Sequence, residues 1–218
     1  MKLSTDAVLL GVFADGSGAS NILDIGTGSG ILLLMLAQRC EAEITGIDMD
    51  QGSVEDAIQN IENSPWKNRI HLIHERIQEY SNRTLEKYDA IVSNPPYFEN
   101  SKRSPYISRN QSKHTAMLTF QELVAISASL LNKKGCCSFI LPADSESNFS
   151  NLASHAGLFL HRKMQVYPKK SKEYNRVLLE FKKTKITAIE QASLIIRMED
   201  NTFSPAYKEY TRDFYLKF

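Results

Sequence analysis

Apolar residues gather in short runs that alternate with helix-length stretches through the first two thirds of the chain. Residues 21–25, 43–47, 70–74 and 88–93 are runs of strand length. Between the first three lie 30–40 and 51–63, which have the length and period of helices, and a shorter linker at 78–86 precedes the fourth. That order predicts βαβ units feeding a parallel sheet. Each crossover lays a helix on the sheet, so its strands are expected to be buried on both faces.

Beyond Pro96 the pattern loosens. Residues 99–113 are polar and form a long irregular connection, the kind that is either a functional loop or disordered. A helical stretch at 120–131 and a strand at 136–141 follow. The runs 158–166, 176–181 and 194–197 read as further strands, with Lys169, Lys170 and Lys172 marking a turn between the first two. The last third is therefore expected to close the sheet as an antiparallel hairpin. No repeat or composition break marks a linker, and 218 residues with 42% hydrophobic content suit one domain.

Charge and cysteine narrow the classes. A net charge of +1 gives no global attraction to polyanions, so a nucleic acid has to be held by a local patch. The opening ten residues are interrupted by Lys2 and Asp6, and no apolar run approaches the roughly 18 residues that span a bilayer. A cytoplasmic protein with no membrane partner is expected. Cys40, Cys136 and Cys137 form no CxxC pair, and His71, His74, His155 and His161 lack ligand spacing, so no metal is expected. Cys136 and Cys137 sit in an apolar run and read as buried thiols.

Residues 22–30, Ile-Leu-Asp-Ile-Gly-Thr-Gly-Ser-Gly, describe a buried strand entering a glycine-rich turn, and residues 31–36 that follow are wholly apolar. Glycines at such a turn allow positive φ and let a ligand approach the backbone. The spacing is G-x-G-x-G, with Asp24 just ahead, whereas a dinucleotide fingerprint is G-x-G-x-x-G. Asp48 ends the next strand, where a carboxylate accepts hydrogen bonds from ribose hydroxyls. Together these features suit an adenosyl ligand without a pyrophosphate.

Asn94-Pro95-Pro96-Tyr97 follows the strand at 88–93, which puts it on the same carboxyl edge of the sheet, where such sheets bind ligands. Consecutive prolines fix φ and leave carbonyls free to accept hydrogen bonds. An exocyclic or amide nitrogen is a poor nucleophile because its lone pair is delocalised. If the Asn94 side-chain oxygen and the Pro95 carbonyl each accept one of its hydrogens, the lone pair turns toward a methyl donor, and positioning carries the reaction. Tyr97 offers a flat face for a planar base or amide.

The segment Asp24 to Gly30 resembles the first motif of class I S-adenosyl-L-methionine-dependent methyltransferases. Over nearly the whole chain the sequence is similar to one family, the tRNA(Val) adenine-37 N6-methyltransferases. The similarity is carried by the opening residues 1–11, Ser64-Pro65-Trp66, Asn94-Pro95-Pro96-Tyr97-Phe98, Arg176-Val177-Leu178-Leu179, Ser204-Pro205-Ala206-Tyr207 and Phe214-Tyr215-Leu216. It implies a Rossmann-like α/β fold with a mostly parallel seven-stranded sheet, helices on both faces and an antiparallel C-terminal hairpin. Members are expected to carry further residues before Met1.

The resemblance also implies roles. Asp24, Gly26, Thr27, Gly28 and Gly30 would hold the methionine part of the cofactor. Asp48 and Met49 would meet its ribose and adenine, Thr5 and Asp6 would border it, and Asn94 would touch both cofactor and substrate. An Asp is common at the adenine position; here the alignment puts Arg76 there, with Glu75 as the alternative. RNA would be met by Tyr97, Phe98, Arg103, Arg109, Lys113 and His114, with Lys102 and Tyr106 in the same stretch. Lys169, Lys170, Lys172 and Lys182, Lys183, Lys185 either extend that patch or form a solvated surface. The expected partner is tRNA and the expected state a monomer.

Similar Asn-Pro-Pro-Tyr motifs leave other acceptors open: a ribosomal RNA base, adenine in DNA, or a release-factor glutamine, whose enzymes carry a helical domain ahead of the glycine motif. A nicotinamide oxidoreductase is disfavoured by the glycine spacing. A non-catalytic RNA-binding module is disfavoured by the intact Asn94-Pro95-Pro96-Tyr97.

Overall fold

The computed structural model describes residues 4–96 and 118–215. Its strands are β1 (Asn21–Ile25), β2 (Glu43–Asp48), β3 (Ile70–His74), β4 (Tyr88–Ser93), β5 (Leu131–Pro142), β6 (Phe159–Lys169), β7 (Arg176–Lys182) and β8 (Glu190–Arg197). They form one sheet in the order β3-β2-β1-β4-β5-β7-β6-β8. Strands β1 to β5 are mutually parallel. Only β7 runs against its neighbours, since β6 and β8 pair parallel with each other. The described sheet thus has eight strands where seven are expected. The eighth covers the outer edge of β6, and its exposed first half, Glu190 to Ser193, is polar or small, as an edge strand requires.

Seven helices cover the sheet among the described residues: α1 (Thr5–Phe13), α2 (Ile31–Arg39), α3 (Gln51–Glu62), α4 (Ile77–Arg83), α5 (Phe120–Leu130), α6 (Glu146–His155) and α7 (Pro205–Thr211). Side chains alternate across a strand, and the core divides accordingly. Ile22, Ile44, Ala90, Val92, Ile140 and Leu178 meet α1, α2, α3 and α7 on one face. Leu23, Ile25, Ile91, Phe139, Leu141 and Leu179 meet α4, α5 and α6 on the other. There Phe149 packs within 5.3 Å of Phe120 and 4.9 Å of Phe139, ring centre to ring centre. With both faces covered, the strand interiors are apolar throughout, which is the pattern read from the sequence.

Cys137 is fully buried and Cys136 half-buried, and burial pushes the Cys136 thiol up to about 12. The described histidines bond to neighbours at the surface: His71 to Glu43, and His74, His155 and His161 to the carbonyls of Met49, Asn151 and Thr184. Among the described residues no group of three or more His, Cys, Asp or Glu gathers as metal ligands, and no helix is long and apolar enough to cross a membrane.

Candidate active site

The strand registers align the residues singled out by sequence. Asp24 of β1 pairs with Gly46 of β2 on one side and Val92 of β4 on the other. Two residues further along each chain, Gly26, Asp48 and Asn94 therefore stand level at three neighbouring strand ends. Strands lie about 4.8 Å apart, so this row spans roughly 10 Å. It sits where strand order reverses, with β2 on one side of β1 and β4 on the other, which is where open α/β sheets form a crevice.

The glycine turn is shaped by conformations that other residues resist. Gly26 and Gly28 have φ of 74° and 55°, and a Cβ at either would meet no atom of the described residues within 4 Å. The turn is tied down from below: the amides of Gly26 and Thr27 donate to the Ile47 carbonyl at 2.8 and 3.1 Å. Gly30, at φ 78°, is constrained by packing as well, because its Cβ would lie 3.2 Å from Ala57 of α3.

Two carboxylates flank this turn in opposite environments. Asp48 is half-exposed; its Oδ2 accepts from the Gly28 amide at 2.8 Å and its Oδ1 from the Asp50 amide at 2.9 Å. A carboxylate has about four lone-pair sites, so acceptor capacity remains on the open side. Asp24 is fully buried beneath the turn. Its Oδ2 accepts from the Thr27 hydroxyl at 2.7 Å, while Oδ1 is buried with no hydrogen-bond partner among the described residues. Burial raises its pKa to about 7; the Asp48 charge adds to the rise and the Thr27 bond opposes it. Met49, beside Asp48, is a large apolar side chain left 49% exposed.

Asn94 is half-buried, Pro95 buried and Pro96 exposed. The end of β4 is locked to the end of β1 by a buried bond from the Ser93 hydroxyl to the Ile25 carbonyl, 2.7 Å. This link fixes Asn94 against the glycine turn. The sequence signal for it is a serine closing an apolar strand just before Asn-Pro-Pro.

Thr5 and Asp6 open α1. Asp6 Oδ2 is 2.9 Å from Arg176 Nε at the start of β7, and this ion pair draws the first turn of α1 to the carboxyl edge. In the sequence Arg176 stands out only through the family resemblance of Arg176-Val177-Leu178-Leu179. At the adenine position, the Glu75 carboxylate is gripped by Arg83 through Nε, at 3.0 Å, and Nη2. That partner holds it below the usual carboxylate range. Arg76 caps the start of α4 without a side-chain cap bond. Tyr97, Phe98, Lys102, Arg103, Tyr106, Arg109, Lys113 and His114 lie outside the described residues.

The two lysine groups separate. β6 runs parallel to β4, so the turn after it, with Lys169, Lys170 and Lys172, lies at the carboxyl edge; Lys182, Lys183 and Lys185, at and after the end of β7, lie at the opposite edge.

Comparison with known proteins shows the family and the fold. The methyltransferase small domain family matches residues 4–155. A tRNA1(Val) (adenine(37)-N6)-methyltransferase of Phocaeicola vulgatus is 42% identical over 216 residues, covering 99% of this chain and 91% of its own. One of the same description from Trichodesmium erythraeum is 37% identical over 221 residues, covering 100% and 92%. Among solved structures, an Agrobacterium tumefaciens protein described as a predicted O-methyltransferase superposes with a TM-score of 0.70 at 20% identity, over 95% of this chain and 96% of that one. A TehB-like SAM-dependent methyltransferase of Corynebacterium glutamicum gives 0.54 at 16%, over 84% and 89%. These likenesses establish the fold, and the full-length relatives establish the lineage. The chain belongs to the tRNA1(Val) (adenine(37)-N6)-methyltransferase family, built on the methyltransferase small domain.

Proposed function

We propose that this protein transfers a methyl group from S-adenosyl-L-methionine to the exocyclic N6 amine of an adenine in tRNA, adenine 37 of tRNA1(Val). The observation that carries the reading is the row of Gly26, Asp48 and Asn94 on three adjacent strand ends. The residues present fit the cofactor. Space free of described residues over Gly26 and Gly28 admits its methionine part, spare acceptor capacity on Asp48 suits two ribose hydroxyls, and exposed Met49 suits the adenine face. Buried Asp24, whose Oδ1 has no hydrogen-bond partner among the described residues, places a carboxyl group beneath the turn that would carry a cationic ligand. Arg83 fixes the Glu75 carboxylate in place, and with two of about four lone-pair sites used it keeps acceptor capacity for the adenine amino group, beside the backbone near Arg76.

When bound, the cofactor supplies an electrophilic methyl group on a sulfonium. Asn94 and Pro95 do the remaining work. The Asn94 side-chain oxygen and the Pro95 carbonyl accept the two N6 hydrogens, rotating the nitrogen lone pair out of the purine π system. The two prolines hold these acceptors rigid, so alignment is built in before the base arrives. Tyr97 stacks on the purine. With the acceptors held in this way the chain would need no dedicated base, because a methylated amino nitrogen is acidic and would release its proton toward solvent.

The test is to incubate the protein with labelled cofactor and total tRNA from a strain lacking it, then map the product by mass spectrometry. N6-methyladenosine at position 37 of tRNA1(Val) is expected. Asn94→Ala in the same assay is expected to lower the single-turnover rate by about 10²- to 10³-fold, the effect of removing one transition-state hydrogen-bond partner, with cofactor affinity retained. Label in ribosomal RNA, DNA or protein but not tRNA would overturn the reading.

A further inference from the structure

We propose that the β6–β7 hairpin is an RNA-backbone contact, in which Lys170 and Lys172, braced by Lys169, hold phosphates flanking the nucleotide presented at Asn94, while the equally basic Lys182, Lys183 and Lys185 take no part. This rests on the tRNA reading above.

Position comes first. The sheet order places β7 two strands and β6 three strands from β4, so the hairpin turn sits roughly 10 to 15 Å to the side of Asn94 on the same edge. Register carries it outward: Arg176 pairs with Pro142, and Phe139, three residues earlier on β5, pairs with Ser93. The turn thus projects past the strand ends beside the catalytic segment. A strand of RNA entering with one base turned toward Asn94 passes over it. The second lysine group is a full strand length away, at the amino edge.

Availability is the second observation. Lys170 and Lys172 are exposed, and neither side-chain ammonium group makes a hydrogen bond or ion pair with a described residue, the Lys172 backbone amide alone donating to the Lys169 carbonyl within the turn. The three lysines at and after the end of β7 are already engaged, unlike Lys133 and Lys134 at the start of β5, which are exposed on that same amino edge. Lys182 pairs with Glu180 at 3.6 Å, Lys183 donates to the Leu131 carbonyl at 2.7 Å, and Lys185 lies 4.9 Å from the centre of the Phe159 ring. Free ammonium groups exchange counterions for phosphate; engaged ones lose a protein contact to do so.

The third is rigidity. Glu199, in the turn after β8, accepts from the Ser171 amide at 3.1 Å and hydroxyl at 3.0 Å, and its carbonyl accepts from Lys169 at 3.3 Å. Tyr174 packs 5.8 Å from Tyr167 and bonds to Glu146. The turn is thus pinned on both sides, and Lys170 and Lys172 are presented at fixed positions. Glu173 and Glu199 keep the local net charge low, so the contact consists of individual lysine–phosphate pairs and not of a broad field.

The experiment compares two charge-matched variants, Lys170→Gln/Lys172→Gln and Lys183→Gln/Lys185→Gln, binding an unmodified tRNA1(Val) transcript across a salt series, with methylation of that transcript by the unaltered protein measured alongside. The hairpin variant is expected to bind roughly tenfold more weakly near physiological salt, with the slope of log K against log salt reduced by about 1.5. The amino-edge variant is expected to match the unaltered protein. A slope unchanged by the hairpin substitutions, or lowered equally by both pairs, would overturn the assignment while leaving the tRNA reading intact if the transcript is methylated. An unaltered protein that neither binds nor methylates the transcript overturns the functional reading, and the hairpin contact with it.

Discussion

Asp24 shows how much a single buried group shapes this site. Its carboxyl lies under the glycine turn with one oxygen bonded to Thr27 and the other unpartnered among the described residues, and desolvation lifts its pKa from 3.8 to about 7. Between those two values the folded protein keeps a proton that the unfolded chain has released. The folded state is therefore penalised as pH rises through this window and stays penalised above it, by a total of about 4 kcal/mol at 1.36 kcal/mol per pKa unit. Asp24→Asn removes that titration and keeps an acceptor for Thr27. In urea melts without cofactor at pH 5 and pH 8, the wild type is expected to lose more stability with rising pH than the variant; parallel pH dependences would contradict the environment described for Asp24. At this scale the sequence was informative where residues act locally. Asp24, the glycines and Asp48 were legible from spacing alone. The Asp6–Arg176 pair was not, because its members are 170 residues apart and only the fold joins them. Nor was the engagement of Glu75 by Arg83, which depends on how α4 turns back after β3.

The elements were legible in proportion to the contrast between their faces. Strands β1 to β4 fall within a residue of the apolar runs that announce them, and α2, α3 and α5 follow the expected stretches. Helix α1 carried no such contrast: six of its nine residues are buried, so an apolar stripe has no polar counterpart. Helix α7 did carry a start signal, since Ser204 accepts from the Tyr207 amide and Pro205 occupies its first turn, but it is short. Close packing between elements yields a further prediction. Gly46 lies mid-strand in β2, where an added Cβ would come 2.6 Å from Leu33 of α2, 3.0 Å from the Thr27 hydroxyl and 3.1 Å from Leu72 of β3. Gly46→Ala is expected to cost about 1–3 kcal/mol, as overpacked cores do. Denaturant unfolding measures it, and a variant as stable as wild type would mean that α2 sits further from the sheet than described.

On the scale of the whole molecule, the eight-stranded sheet sorts chemistry by edge. At the carboxyl edge stand the glycine turn, Asp48, Asn94, the Asp6–Arg176 pair and the hairpin, whose Lys170 and Lys172 side chains have no partner among the described residues. At the amino edge Lys182, Lys183 and Lys185 are bound into the protein. A net charge of +1 hides this asymmetry, which is why composition neither favoured nor excluded a nucleic acid. Edge assignment requires strand order and direction, and neither follows from apolar periodicity. The account rests on Asp48, Gly26 and Asn94 serving one ligand. A crystal structure with S-adenosyl-L-homocysteine tests this most directly. The ribose hydroxyls are expected on Asp48, the amino-acid part over Gly26 and Gly28, and the sulfur directed toward Asn94; a ligand bound elsewhere, or with its sulfur turned away from Asn94, would contradict it.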